Sequence, residues 1–286
     1  MRLPIINFRD ISGYRNKYGE KMKPGMIFRG GPLDQLSAED VAYMEDTLGI
    51  RYILDYRDAP EAAIKPDAVF AKAEHLRIGA MKGDPEKARQ ILERQRQKAE
   101  TTETGSQSGE NAEKKSDQDA VKGMDLDFAT RLKDPAKRAD MLTGQTNLTN
   151  AYRYMVFDNP AFHAMFERLL RGDGHMYFHC SAGKDRTGLS AMLIMMALGM
   201  NEEDIVHEYM LSNEGLRDVN IYLRRTCNIS DEEAEKLAPM LGVVEKNIRV
   251  ALAAIYEKYE SVEAYLAGEY GICDKDRQKL RRVYCE

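Results

Sequence analysis

Two short apolar runs near the start of the chain, Gly25–Arg29 (GMIFR) and Arg51–Asp55 (RYILD), are rich in Ile, Leu, Phe and Tyr and predict strands. Between them Ser37, with Asp40 three residues on, has capping-box spacing and predicts a helix to about Leu48, where Gly49 stops it. His75–Ile78 is a further strand candidate. Asn159-Pro160 predicts a helix that Gly172 closes, and Met176–His179 (MYFH) predicts a strand. Arg186–Leu198 is apolar nearly all round, the pattern of a buried helix. Only helices follow. Asn201 and the pair Ser230 and Glu233 read as N-terminal caps, and Val243–Tyr259, Ser261–Gly268 and Asp274–Tyr284 complete the series. Strands interleaved with helices, then helices alone, predict an α/β fold with a helical C-terminal layer.

The pattern breaks once. Asp84-Pro85 has the composition of a cap and first turn, but the helix it would open, Glu86 to about Ala99, carries few apolar residues. From Lys98 to Ala120 there is no Leu, Ile, Val, Met or aromatic residue. Such a segment cannot offset its ordering entropy, so residues from about 85 to 125 are expected to form a mobile surface insertion, either a lid or an inert loop. The core pieces on either side are incomplete alone, so residues 1–286 are expected to fold as one domain.

Composition narrows the function classes. With 42 Lys plus Arg against 47 Asp plus Glu, the net charge of −5 gives no reason to expect nucleic acid or a membrane surface as partner, and any site for an anion must concentrate positive charge locally. No run of about 18 apolar residues occurs, so no transmembrane segment is expected. Met1–Asp10 has no apolar stretch behind basic residues, so a cytoplasmic protein is expected, with export lacking a recognisable signal left open. The four cysteines, Cys180, Cys227, Cys273 and Cys285, form no CxxC pair, which argues against zinc; no metal and no cofactor are expected. His75, His163, His175 and His207 likewise show no metal-ligand spacing.

Cys180 has a distinctive neighbourhood. His179–Gly188 reads HCSAGKDRTG between a predicted strand and a predicted buried helix. A strand-to-helix turn of this length can wrap backbone N–H groups around one tetrahedral oxyanion, and the helix N-terminus adds positive potential. Ser181, Ala182, Gly183, Lys184, Thr187 and Gly188 are therefore substrate-binding candidates, with Gly183 and Gly188 permitting close backbone approach. A free thiol is only about 3% ionised at pH 7, and lowering its pKa by two to three units makes it almost fully a thiolate. The planar fork of Arg186 can take two phosphoryl oxygens at once. Thr187 can donate to the sulfur, and His179 is placed to buttress the loop. A proton must reach the leaving oxygen. Asp185 is the nearest candidate, with Asp84 and Asp127 beside the insertion as alternatives.

The string HCSAGKDRTG resembles the signature of the atypical bacterial tyrosine phosphatases, a family that includes secreted mycobacterial and listerial enzymes. Asn7–Asp10, Phe28–Gly30, Ile53–Arg57, Tyr209–Asn213 and Tyr265-Leu266 fit the same pattern, so the resemblance spans nearly the whole chain. Tyr56 stands where the family more often has Leu, and Gly30 where it has Ser. The resemblance implies a cysteine-phosphatase-like central, mostly parallel sheet flanked by helices. It implies Cys180 as nucleophile, Arg186 as phosphate clamp and Asp185 as acid, without a separate mobile acid loop. It further implies protein-tyrosine phosphatase activity with dual specificity toward phosphotyrosine and phosphoserine or phosphothreonine proteins. Phosphoinositides are an additional substrate class, for which Lys184 could meet a second phosphate or simply raise the loop potential. Asp55 and Arg57 are expected to form an ion pair behind the loop. The rival readings are a phosphate-binding module without turnover, and a sulfur-transfer or arsenate-reducing enzyme with a similar loop.

Overall fold

The computed structural model describes residues 3–83, 132–134, 137–138 and 145–286; the expected insertion near 85–125, with Asp84 and Asp127, lies outside them. A five-stranded sheet has the order β1 (Arg9–Asp10), β2 (Ile27–Gly30), β5 (His175–His179), β3 (Ile50–Asp55) and β4 (Glu74–Arg77). β1 runs antiparallel to β2 and every other pairing is parallel. This is the mostly parallel α/β sheet implied by the sequence.

The register decides where chemistry can sit. Gly30 on β2 and Asp55 on β3 both pair with His179, the last residue of the central strand. The carboxyl ends of three neighbouring strands therefore open on one edge, the usual ligand edge of parallel sheets. β5 is buried at four of its five positions and β2 at all four, as central strands covered on both faces must be.

Ser37 caps α1 (Ala38–Ala42) through the expected reciprocal box with Asp40. The helix does not continue to Leu48 as one piece, because residues Tyr43–Thr47 widen into a π-helical turn. That turn leaves Glu45 buried, its carboxylate accepting from the Lys72 backbone N–H at 2.5 Å. A short helix absent from the sequence expectation, α2 (Ala59–Ile64), follows β3 and opens with a capping box of Asp58 and Glu61.

After α3 (Gln145–Met155), α4 (Pro160–Arg171) is capped by Asn159 and closed by Gly172 as expected. α5 (Asp185–Leu198) leaves the central strand and is buried from Arg186 to its end. The C-terminal layer comprises α6 (Glu202–Met210), α7 (Ser212–Gly215), α8 (Arg217–Thr226), α9 (Asp231–Leu241), α10 (Glu245–Lys258), α11 (Val262–Tyr270) and α12 (Asp274–Tyr284). The main core joins β3 and β5 side chains such as Leu54 and Phe178 to α5 and the helices around it. A separate small cluster of Leu132, Cys227, Ile229, Leu237 and Leu241 holds α8 and α9 together. No helix among the described residues is long and apolar enough to cross a membrane.

Candidate active site

β5 ends at His179, and the turn from Cys180 to Lys184 delivers the chain into α5 at Asp185. The expected strand–loop–helix context is thus present, with Cys180 only 2% exposed. Gly183 has φ +65°, and a Cβ there would lie 2.2 Å from the Gly30 carbonyl oxygen, so only glycine fits. At Gly188 a Cβ would press on the Tyr209 ring at 2.7 Å.

Arg186 folds back over the start of the loop. Its guanidinium donates to Ser181 Oγ at 3.1 Å and to the Tyr56 carbonyl at 3.1 Å. It also meets both carboxylate oxygens of Glu61 at 2.7 Å, and Ser181 Oγ donates to the same carboxylate at 2.9 Å. Glu61 is a site residue that sequence reasoning missed. Its signal was the Asp58-x-x-Glu61 capping spacing directly after the Arg51–Asp55 strand.

Asp185 Oδ1 accepts from the Tyr152 hydroxyl at 2.6 Å, and the Tyr209 hydroxyl lies 2.7 Å from that same oxygen of Tyr152. Because Tyr152 gives its one hydrogen to Asp185, Tyr209 is the donor to Tyr152. Burial and the Asp185 charge push the Tyr152 phenol well above its ordinary pKa, so it stays a donor. Asp185 Oδ2 lies 3.7 Å from the Lys184 ammonium. That ammonium is itself engaged by the carbonyls of Met240 at 2.6 Å, Gly242 at 2.8 Å and Pro239 at 3.4 Å, at the C-terminal end of α9. Thr187 is fully buried, and its hydroxyl oxygen has no hydrogen-bond partner; the expected bond to sulfur is not formed in this structure.

His179 lies on the far side of the strand end, fully buried and stacked on Tyr177 with ring centroids 5.6 Å apart. Its Nδ1 is 3.4 Å from the Cys180 carbonyl oxygen and its Nε2 is 3.2 Å from Asp67. The expected Asp55–Arg57 pair forms at 2.8 Å, and Arg57 also reaches Asp67 at 2.7 Å. Against the cost of burial, hydrogen bonds from His179 and His75 and the charge of Arg57 hold the Asp67 carboxyl well below the usual carboxylate range. Folding brings Asp55, Asp67, His75 and His179 within 4.8 Å of one another, a grouping that sequence spacing hid. Both carboxylates already accept from the fixed guanidinium of Arg57, so this donor set fits an ion-pair network better than a cation site.

Behind the loop, Asn7 and Arg29 reach its carbonyl oxygens. Asn7 Nδ2 donates to Gly183 O at 2.7 Å and to Ala182 O at 3.4 Å. Arg29 donates to Gly183 O at 2.9 Å and to Lys184 O at 3.3 Å. Turning these carbonyls rearward turns the opposite ends of the same peptide planes toward the front.

A Cys-x5-Arg loop thus joins the central strand of a mostly parallel sheet to a buried helix, with its arginine closed over the loop start. A family model described as the tyrosine phosphatase family matches residues 3–286, so the chain belongs to that family. Among curated relatives, the chain is 28% identical over 265 residues to a Cupriavidus necator protein provisionally named a tyrosine-protein phosphatase; the match covers 92% of this chain and 80% of that one. It is 31% identical over 152 residues to a tyrosine-protein phosphatase of Nostoc commune, covering 47% of this chain and 48% of that one. It is 26% identical over 299 residues to the triple specificity protein phosphatase PtpB of Mycobacterium tuberculosis, covering 97% and 95%. The bacterial resemblance read from the sequence holds along the chain, and the protein is a protein-tyrosine phosphatase.

Proposed function

We propose that this phosphatase works in two steps, with Cys180 as nucleophile, Arg186 as phosphoryl clamp and Asp185 as the proton carrier. The thiolate attacks phosphorus in line, a cysteinyl-phosphate forms, and the P–O bond to the leaving group breaks as Asp185 gives that oxygen a proton. Water then attacks phosphorus, Asp185 takes a proton from it, and the S–P bond breaks to return thiolate and release phosphate. The loop amides, the N-terminus of α5 and Arg186 hold the equatorial oxygens, as electrostatic stabilisation of phosphoryl transfer requires.

The observation that carries this reading is the Arg186 guanidinium folded back onto Ser181, which brings the two ends of the loop together. The Tyr152 phenol and the Lys184 ammonium hold the Asp185 carboxylate in place at the start of α5.

The proposed substrates are phosphotyrosine, phosphoserine and phosphothreonine proteins, and phosphoinositides. A relative named for triple specificity supports that breadth. A second phosphate on an inositol ring would compete with the three carbonyls that engage Lys184. The test is hydrolysis of p-nitrophenyl phosphate by wild type and Cys180→Ser, followed by kinetics on phosphotyrosine peptide, phosphoserine peptide and phosphatidylinositol phosphates. Cys180→Ser is expected to lose about four orders of magnitude or more in kcat. A wild type that binds phosphopeptide without hydrolysing it would instead make the protein a binding module. Loss confined to lipid substrates in Lys184→Ala supports the inositol role, and equal loss on all three removes it.

A further inference from the structure

Arg9, Arg29 and Glu208 form a buried group that the reaction scheme above does not use. Glu208 sits on α6 and is 2% exposed; its carboxylate takes Arg29 Nη1 at 2.5 Å on one oxygen and Arg9 Nε at 2.8 Å on the other. Arg29 is completely buried. Arg9 continues the chain of contacts to Asn7, whose side-chain oxygen accepts from Arg9 Nη1 at 2.5 Å while its amide holds Gly183. Arg9 also donates to the Glu208 carbonyl at 3.0 Å and to Ser212 Oγ at 3.2 Å. Two guanidinium groups share one carboxylate, so the group carries one uncompensated positive charge in a dry position. Burial and the charge of Arg29 pull the Arg9 guanidinium down to about 10, which still leaves it charged at neutral pH.

The excess cation stands directly behind the loop that starts at Cys180, and Arg29 grips two of that loop's carbonyls. Burial pushes the Tyr56 phenol up, the nearby Cys180 adds to that rise, and Arg29 opposes it. Resting on the assignment of Cys180 as nucleophile, we propose that Arg29, Arg9 and Glu208 are positioning residues that hold the loop amides forward and set the thiolate population of Cys180 through their net positive charge. Attraction to a buried cation favours the charged form of a thiol. The other charged or titratable groups around Cys180 are Arg186 and Asp185 on α5, Lys184 in the loop, Glu61 on α2, Tyr56 after β3, and Tyr177 and His179 on β5. None of them is altered in the test.

The test exploits sign. Arg29→Met and Glu208→Gln break the same ion pair, yet they change the charge behind the loop in opposite directions. The readout is the pH midpoint of Cys180 alkylation by iodoacetamide, followed on the full chain by mass spectrometry of the Cys180 peptide. Arg29→Met is expected to raise the midpoint by about one pH unit, and Glu208→Gln to lower it by about half a unit. Shifts of the same sign, or no shift in either variant, overturn the electrostatic role and leave only a structural one. Arg9→Met, at a less buried position, replaces Arg29→Met if the latter lacks a cooperative melting transition, and the same rise is expected. In wild type, alkylation of Cys180 must track loss of phosphatase activity. If it does not, the nucleophile assignment has failed, and the opposite-sign comparison still reports on the charge at the sulfur.

Discussion

Gly183 and Gly271 have nearly the same left-handed backbone, φ +65° and φ +68°, but very different surroundings. A Cβ at Gly271, just past α11, meets nothing within 4 Å. A Cβ at Gly183 meets three backbone atoms: Gly30 O at 2.2 Å, Gly30 C at 2.3 Å and Gly31 N at 2.8 Å. Ordinary contact begins near 3.4 Å. The β2 end is pinned by its pairing with β5, so the loop itself must retreat, by about 1 Å. Both alanine variants carry the left-handed penalty of about 1 kcal/mol. Only Gly183→Ala displaces the phosphate loop, and an error of about 1 Å in a catalytic group costs roughly 100-fold, or about 2.7 kcal/mol of barrier. Steady-state hydrolysis of p-nitrophenyl phosphate and thermal melting should be measured on both. Gly271→Ala should melt about 2–4 °C lower with unchanged kcat/KM. Gly183→Ala should lose about two orders of magnitude in kcat/KM. If it fails to melt cooperatively, Gly188→Ala takes its place. There the obstacle is a side-chain ring at 2.7 Å that can swing, and a loss of about tenfold is expected. A folded Gly183→Ala with wild-type kcat/KM, or a Gly271→Ala equally impaired in catalysis, would refute this account of the loop.

Three further outcomes can be checked. Glu61→Gln removes a carboxylate from both ends of the Arg186 fork, so inhibition by inorganic phosphate should tighten several-fold while kcat falls; a weaker phosphate Ki with unchanged kcat contradicts the clamp. Tyr152→Phe withdraws the phenol that holds the Asp185 carboxylate in place. As the proton carrier loses its orientation, kcat should fall by about tenfold, more for aryl phosphates with poor leaving groups than for good ones, and an unchanged kcat and leaving-group dependence would exclude the contact as a positioning one. Glu263, bonded by Arg277 and Lys17, has its carboxyl lowered from 4.5 to about 2, so its contribution to stability is full above about 4.5 and is lost as pH falls from there toward 2. Glu263→Gln should flatten melting temperature against pH in that window, and an unchanged slope would show that the pair is screened by solvent.

Much of the fold was legible because its signals are local. Asn159 followed by Pro160, the Ser230–Glu233 box and the all-apolar run after Arg186 each predicted an element that the structure contains. The turn from Cys180 to Lys184 was legible for the same reason, since its strand end, turn and helix start are contiguous. What was hidden is assembled across long separations. Glu61 meets Arg186 across 125 residues, and Arg29 meets Glu208 across 179. Nothing in the local pattern around Tyr152 distinguishes a core tyrosine from one that donates to Asp185. The helix from Ser37 reaches Leu48 as expected, but nothing local shows that its last turn is π-helical; that turn carries Glu45, whose partner, the Lys72 backbone, lies 27 residues away.

Lys184 has a consequence at a distance. Helix α9 contains Pro239 and ends with carbonyls that its own turn cannot satisfy, and a cation from the phosphate loop neutralises that end. One ammonium therefore serves two clients, and thermodynamic reciprocity binds them. Whatever draws Lys184 toward an anion frays the far helix, and whatever tightens that helix withholds the charge from the anion by the same factor.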